Sequence, residues 1–92
     1  MDVKQAVKTA KDWVSEVLGE EGISNVGLEE VKFDEMKDSW LITIGFSRPW
    51  NANKNAMALL GGIPSIARSY RVIAVKNSEG TVDYMAKPDF GE

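Results

Sequence analysis

Residues 40–47 read Trp40-Leu41-Ile42-Thr43-Ile44-Gly45-Phe46-Ser47, and a large apolar side chain stands at every second position from Trp40 to Phe46. This period of two is typical of a β-strand, because successive side chains of a strand point to opposite faces of the sheet. The two faces differ in character, since one is aromatic and aliphatic and the other is mixed. The pattern predicts a sheet with one well-buried face.

A different period precedes this strand, in residues 1–19. Apolar residues recur there at spacings of three and four, namely Val3, Val7, Ala10, Val14 and Val17. This spacing predicts an amphipathic α-helix, with the charged residues Lys4, Lys8, Lys11 and Asp12 on its other side. Asp2 is placed to cap the start of the helix, and Gly19 is a candidate for its end.

The rest of the chain contains two predicted strand pairs. Residues 23–47 form the first pair, and its leading strand changes its apolar face near Gly27 or Glu29, which indicates either a bulge or a late start of the strand. Residues 69–86 form the second pair, because β-rich runs flank a turn of the sequence Asn77-Ser78-Glu79-Gly80.

These elements predict one domain over residues 1–92, of the α+β class. In this fold an N-terminal helix packs on a curved antiparallel sheet of about four strands, and Trp13 and Trp40 belong to the core between them. A long loop, residues 48–68, separates the second and third strands, and residues 87–92 form a tail because Pro88 ends strand pairing.

The amino-acid composition excludes several kinds of catalytic and metal-binding site. The chain has no cysteine and no histidine, so thiolate nucleophiles, Cys/His zinc sites and an imidazole base are excluded. Oxygen ligands for Ca²⁺ or Mg²⁺ remain, but the acids lack EF-hand-like spacing. Neighbours such as Glu29 and Glu30 point to opposite faces of a strand and cannot act as an acid–base pair. We expect no enzymatic activity, no cofactor and no metal.

Charge is distributed unevenly along the chain. Residues 1–46 hold ten acids and five bases, whereas residues 47–92 hold four acids and six bases. The acid-free stretch between Asp38 and Glu79 contains five of those bases, Arg48, Lys54, Arg68, Arg71 and Lys76. An isoelectric point near 4.9 argues against nucleic acid as a ligand, since the overall field repels phosphates. An acidic protein partner fits these bases better.

The sequence also bears on location. No apolar run reaches the ~18 residues that span a bilayer. The N-terminus, Met1-Asp2-Val3-Lys4-Gln5, lacks the basic start and apolar stretch of a secretory signal. We therefore expect a cytoplasmic protein with no membrane contact.

The 48–68 loop is the predicted contact surface. It is much longer than a hairpin connection of about two to five residues, and residues 53–60 are a candidate for a short helix. Its apolar, glycine-containing part is either a second packing element on the sheet or a lid or docking segment. Trp50 lies outside any periodic element, so it either covers an open sheet edge or the end of the core, or it contributes to an interface. The candidate partner-binding residues are Arg48, Trp50, Lys54, Met57, Leu60 and Arg68.

Three segments give the chain a resemblance to small PepSY-like or cystatin-like domains. They are Ala6-Val7-Lys8-Thr9-Ala10-Lys11 on the helix, Asp38-Ser39-Trp40-Leu41-Ile42-Thr43-Ile44 on the strand, and Tyr70-Arg71-Val72-Ile73-Ala74-Val75 leading into Ser78-Glu79-Gly80-Thr81-Val82. PepSY-like domains are mostly extracytoplasmic and bind or inhibit other proteins, which the resemblance implies here, although no export signal is visible. The Gln-x-Val-x-Gly loop of cystatins does not occur, so protease inhibition carries over to no residue.

Two main hypotheses of function follow. The leading one is a non-catalytic protein-interaction or regulatory module that binds a partner through the 48–68 loop. The alternative is a small-molecule binding or enzymatic domain with a cavity under the curved sheet. A self-associating subunit is a third hypothesis, because the last strand offers an open edge, so the chain is either a monomer or a homodimer.

Overall fold

The computed structural model describes residues 1–48 and 68–88, and over these ranges it contains one α-helix and four strands. They are α1 (Val3–Val17), β1 (Ser24–Asp34), β2 (Ser39–Ser47), β3 (Ser69–Lys76) and β4 (Val82–Ala86). The strands form one antiparallel sheet in the order β1-β2-β3-β4, with α1 packed on one face. The predicted α+β fold is confirmed, while most of the predicted 48–68 loop lies outside the described residues.

The helix begins where the sequence predicts. Asp2 Oδ1 accepts a hydrogen bond from the Gln5 backbone N–H at 2.8 Å, and Gln5 Oε1 accepts one from the Asp2 N–H at 2.9 Å. This reciprocal capping box satisfies two backbone donors at the start of α1. The helix ends at Val17, and a short 3₁₀ turn, Gly19–Glu21, follows. The left-handed residue that closes this turn is Gly22 (φ 72°) rather than Gly19.

The core lies between α1 and the middle of the sheet. Its fully buried side chains come from three elements: Ala6, Ala10 and Val14 of α1, Ile42, Ile44 and Phe46 of β2, and Ile73 and Val75 of β3. Trp13 and Trp40 are partly buried and pack against this cluster. The Trp40 ring meets that of Phe33 edge to face, with centroids 4.8 Å apart. The core side chains thus occupy the layer between the helix and the sheet.

Strand β1 carries the predicted bulge. Leu28 pairs with Ile44, whereas Glu30 pairs with Thr43, so Glu29 is an extra residue on β1. Directly paired residues share a face, and the extra residue therefore returns Leu28 to the helix side of the sheet, together with Val31 and Phe33. At the bulge, Glu29 lies over Gly45 and Glu30 pairs with Thr43, so both point away from the helix, and the expectation that they point to opposite faces is wrong. From Glu30 to Asp34 the pairing with β2 is regular.

Candidate functional site

The structure describes two of the six predicted contact residues. Trp50, Lys54, Met57 and Leu60 lie outside the described residues, whereas Arg48 and Arg68 flank that segment. The two arginines lie on opposite faces of the sheet. Arg48 contacts the helix side, and Arg68 lies over the other face, which we call the outer face.

Arg48 is held by several groups at the end of the core. Its Nη1 donates to Glu21 Oε1, and its Nε donates to Ser69 Oγ at 3.2 Å. The guanidinium carbon also lies 5.0 Å from the centroid of the Phe46 ring, within cation–π distance. Only 9% of the Arg48 side chain is exposed. Its contacts with Ser69 and Glu21 join the ends of β2 and β3 to the 3₁₀ turn.

Arg71 lies beside Arg48. Burial lowers the pKa of the Arg71 guanidinium, the positive charge of Arg48 lowers it further, and the carboxylate of Glu21 opposes both effects. Arginine remains protonated in proteins, so Arg71 keeps its charge. Its Nη1 donates to the Tyr70 carbonyl at 2.6 Å. This group of charges closes one end of the core.

Arg68 pairs with a residue of the bulge. Its Nη2 lies 3.4 Å from Glu29 Oε1, and the pair lies above Gly45. A Cβ on Gly45 would lie 2.7 Å from Glu29 Oε1 and 2.9 Å from Arg68 Nη2. The glycine therefore makes room for an ion pair on the outer face.

A concave apolar surface lies on the opposite side of the bulge, between α1 and β1. This surface, the helix–edge groove, has a volume of about 420 Å³ and is lined by Val3, Lys4, Val7, Lys8, Lys11, Asp12, Leu28 and Val31. Its floor is aliphatic, and Val3 (42% exposed) and Leu28 (43% exposed) are open to solvent. Phe33, also exposed, continues the helix-side row of β1.

The rim of the groove is positively charged. Three lysines and one aspartate line it, so the rim has a net charge of +2 on a chain whose net charge is −3. Lys8 Nζ pairs with Asp12 Oδ2 at 2.7 Å. Lys4 and Lys11 form no ion pair with any residue in 1–48 or 68–88. Two ammonium groups beside the apolar floor are therefore available to a ligand with carboxylates.

A second groove lies on the outer face, with a volume of about 330 Å³. It is lined by Glu30, Lys32, Leu41, Thr43, Val72, Tyr84, Ala86, Lys87 and Pro88. The lining mixes both signs of charge with polar and apolar groups, and Lys32 Nζ lies 3.7 Å from Glu30 Oε1. Because of this mixture, the outer-face groove favours neither acidic nor basic ligands as clearly as the helix–edge groove favours acidic ones.

Other kinds of site find no support in the part of the chain that the structure describes. No three or more acidic side chains there come together as they would around a metal ion. No helix in the same ranges has both the length and the apolar character needed to cross a bilayer.

Comparison of the whole chain with protein-family models, with curated proteins and with solved structures finds no match.

The helix–edge groove was not predicted from the sequence. The apolar period predicts that the lysines of α1 lie on the solvent-exposed side of the helix. It does not predict which flank of the helix lies beside β1. The sequence contains one indication of the groove, namely that the apolar Val3 and Val7 are each followed directly by a lysine, Lys4 and Lys8. The other half of the groove comes from Leu28, whose position depends on the bulge.

Proposed function

We propose that this chain is a non-catalytic protein-binding module and that an acidic, partly apolar segment of a partner protein occupies the helix–edge groove. The observation that carries the proposal is the aliphatic floor beside a rim of net charge +2 on an acidic chain. Apolar side chains of the partner would bury the exposed surfaces of Val3 and Leu28, and its carboxylates would meet Lys4 and Lys11. Buried apolar anchors supply most of the affinity of such interfaces, and peripheral charges supply orientation and association rate.

The proposed surface differs from the one expected from the sequence. Arg48 and Arg68 are engaged in ion pairs with Glu21 and Glu29, and a partner would have to break these pairs to use them. Nothing comparable holds Lys4 or Lys11 in the described ranges. Participation of Trp50, Lys54, Met57 and Leu60 stays a prediction.

A small amphipathic carboxylate, such as a fatty acid, is the second candidate ligand. The groove volume of about 420 Å³ falls within the range of small-molecule sites, about 300–1,000 Å³. Such sites bury most of their ligand, however, and among residues 1–48 and 68–88 nothing closes this groove along β1. The layer under the sheet, where a cavity was expected, is occupied by fully buried side chains such as Ile44 and Phe46. These observations favour a protein segment.

Selection from a displayed peptide library on the immobilised protein tests the proposal. The selected peptides should be acidic and apolar, and their affinity should fall about 5–30-fold in the double variant K4E/K11E, since the loss of two charge contacts amounts to about 1–2 kcal/mol. The matched control is K37E/K87E, which changes the net charge equally at exposed positions away from the groove.

A second pair of variants tests the apolar floor. Leu28→Ser should weaken binding, whereas Tyr84→Ser, at a residue of similar exposure on the outer face, should not. Thermal unfolding of all four variants checks that the fold is intact. Peptides that bind equally well to the groove variants and the controls would contradict the proposal, as would decanoate binding at the groove without any peptide binding there.

A further inference from the structure

The helix–edge groove borders the β1 edge of the sheet, which is open as far as the described residues go. Strand β1 is the first in the order β1-β2-β3-β4, and it pairs with β2. Within residues 1–48 and 68–88, no strand pairs with its other side. The outward N–H and C=O groups of an edge strand form a template on which an extended segment can pair.

The groove lies where the side chains of an added strand would point. A strand paired to β1 would lie about 4.8 Å from it, and alternate side chains would face the helix side of the sheet. On that side β1 presents Leu28, Val31 and Phe33, and α1 presents Val3 and Val7. Inward-facing apolar side chains of the added strand would therefore rest on the floor of the groove, next to the lysines on its rim.

The bulge limits the length of this edge. Pairing between β1 and β2 is irregular between Ser24 and Gly27 and again around Glu29. Bulges interrupt the regular row of edge groups and commonly protect edges from unwanted pairing. The regular part, Glu30–Asp34, provides a pairing surface of five residues.

Charge distinguishes between a foreign segment and a second copy of this chain. If two copies paired through β1, their α1 helices would lie on the same face of one continuous sheet, with the groove flanks turned toward each other. Each flank has a net charge of +2, from Lys4, Lys8, Lys11 and Asp12, so the two would repel. Acidic side chains that another protein's segment turns toward the helix side would instead be attracted by these lysines.

We infer that the partner segment is an extended strand that pairs with Glu30–Asp34 as a fifth strand at the β1 edge, and that the side chains it turns toward the helix side include both apolar and acidic residues. This inference rests on the proposed function, because it specifies the conformation of the segment that occupies the groove.

N-methylation of a selected peptide tests the inference without altering the protein. Two versions are made, one methylated at its odd-numbered amides and one at its even-numbered amides. Only one of these two sets of N–H groups can face β1 in a strand. One version should therefore lose about tenfold or more in affinity while the other stays close to the unmodified peptide, since main-chain hydrogen bonds provide much of the affinity in strand addition.

Amide hydrogen exchange by NMR provides a second readout on the protein. On peptide binding, alternate amides within residues 30–34 should become protected, because only those that point away from β2 gain a partner. The amides that point toward β2 should change little.

The outcomes separate the two proposals. If neither methylated version loses affinity, or both lose it equally, strand addition is wrong, while sensitivity of binding to Leu28→Ser and K4E/K11E still supports the groove. If no peptide binds at the groove, the proposed function itself is wrong. Protection of residues 30–34 in the free protein, together with a dimer mass by light scattering, would overturn the inference in favour of a second copy.

Discussion

Gly45 shows how one absent side chain permits a contact between two others. The space above its Cα on the outer face holds the ends of Glu29 and Arg68, one from the bulge of β1 and one from the residue before β3. Gly27, which pairs with Gly45, also lies beneath Arg68. The pair of glycines therefore forms a shallow floor for an ion pair that joins two strands across β2.

Replacement of Gly45 by alanine should have an effect that depends on Glu29. Alanine is favoured over glycine within a strand by about 0.5–1 kcal/mol, but its Cβ would displace the Glu29–Arg68 pair, which is itself worth about 0–1 kcal/mol. We expect Gly45→Ala to be neutral or destabilising in the native chain and stabilising by about 0.5–1 kcal/mol when Glu29 is alanine. Urea unfolding of the four proteins in this cycle measures the coupling.

Gly19→Ala is the control for this cycle, because a Cβ at Gly19 meets nothing within 4 Å. Its effect should be the same with and without Glu29. If Gly45→Ala also changes the free energy of unfolding equally with and without Glu29, the Glu29–Arg68 ion pair is not the reason why position 45 requires glycine.

At the scale of the elements, Asn77 joins two turns at one end of the sheet. Its side-chain Oδ1 accepts from Trp40 Nε1 at 3.1 Å, and its Nδ2 donates to Asp38 Oδ1 at 3.2 Å. Its backbone N–H donates to the Asp38 carbonyl at 2.9 Å. The β1–β2 turn, in which Asp38 has a positive φ of 50°, is thus fixed to the β3–β4 turn.

Asn77→Ala should lower the free energy of unfolding by about 1–3 kcal/mol, because the half-buried indole N–H of Trp40 loses its acceptor. Ser78→Ala, at the exposed neighbouring position, should stay within about 0.5 kcal/mol of the native chain. Urea unfolding measures both, and the Trp40 indole N–H signal in NMR spectra should shift only in the Asn77 variant. Equal stability losses in the two variants would show that the side-chain bridge contributes nothing.

The elements themselves were largely predictable from the sequence, and their relative placement was not. The period of 3.6 in α1, the period of two in β2 and the change of face near Glu29 each report on local geometry, and the structure confirms them. Gly80 lies in the predicted turn after β3 and has a φ of 68°, a conformation that glycine tolerates. The groove depends instead on which flank of α1 lies beside β1, and an amphipathic pattern separates buried from exposed positions without distinguishing the two flanks.

At the scale of the whole molecule, charge averaged along the chain gives a poor guide to the charge of a surface. The first 46 residues are acidic on average, yet they contribute the helix–edge groove with its rim of net charge +2. The helix sorts its charges by face, so Lys4, Lys8 and Lys11 come together while most acids of that half lie on β1 and in the turns. The basic stretch after Asp38 supplies Arg48 and Arg68, which form ion pairs with Glu21 and Glu29.

This arrangement predicts that two copies of the chain do not pair through β1 at low ionic strength. Pairing of two copies through β1 would bring two lysine-bearing flanks together, and their repulsion acts over about 30 Å at 0.01 M salt but only about 3 Å at 1 M. Light scattering at low salt should therefore give the mass of a single chain, 10.2 kDa, and any association should appear only as salt is raised. A dimer that is stable at low salt and dissociates at high salt would mean that attraction between opposite charges holds two copies together. In that case the lysine rim would recognise the acids of its own chain, and the proposal of a foreign acidic segment would fall.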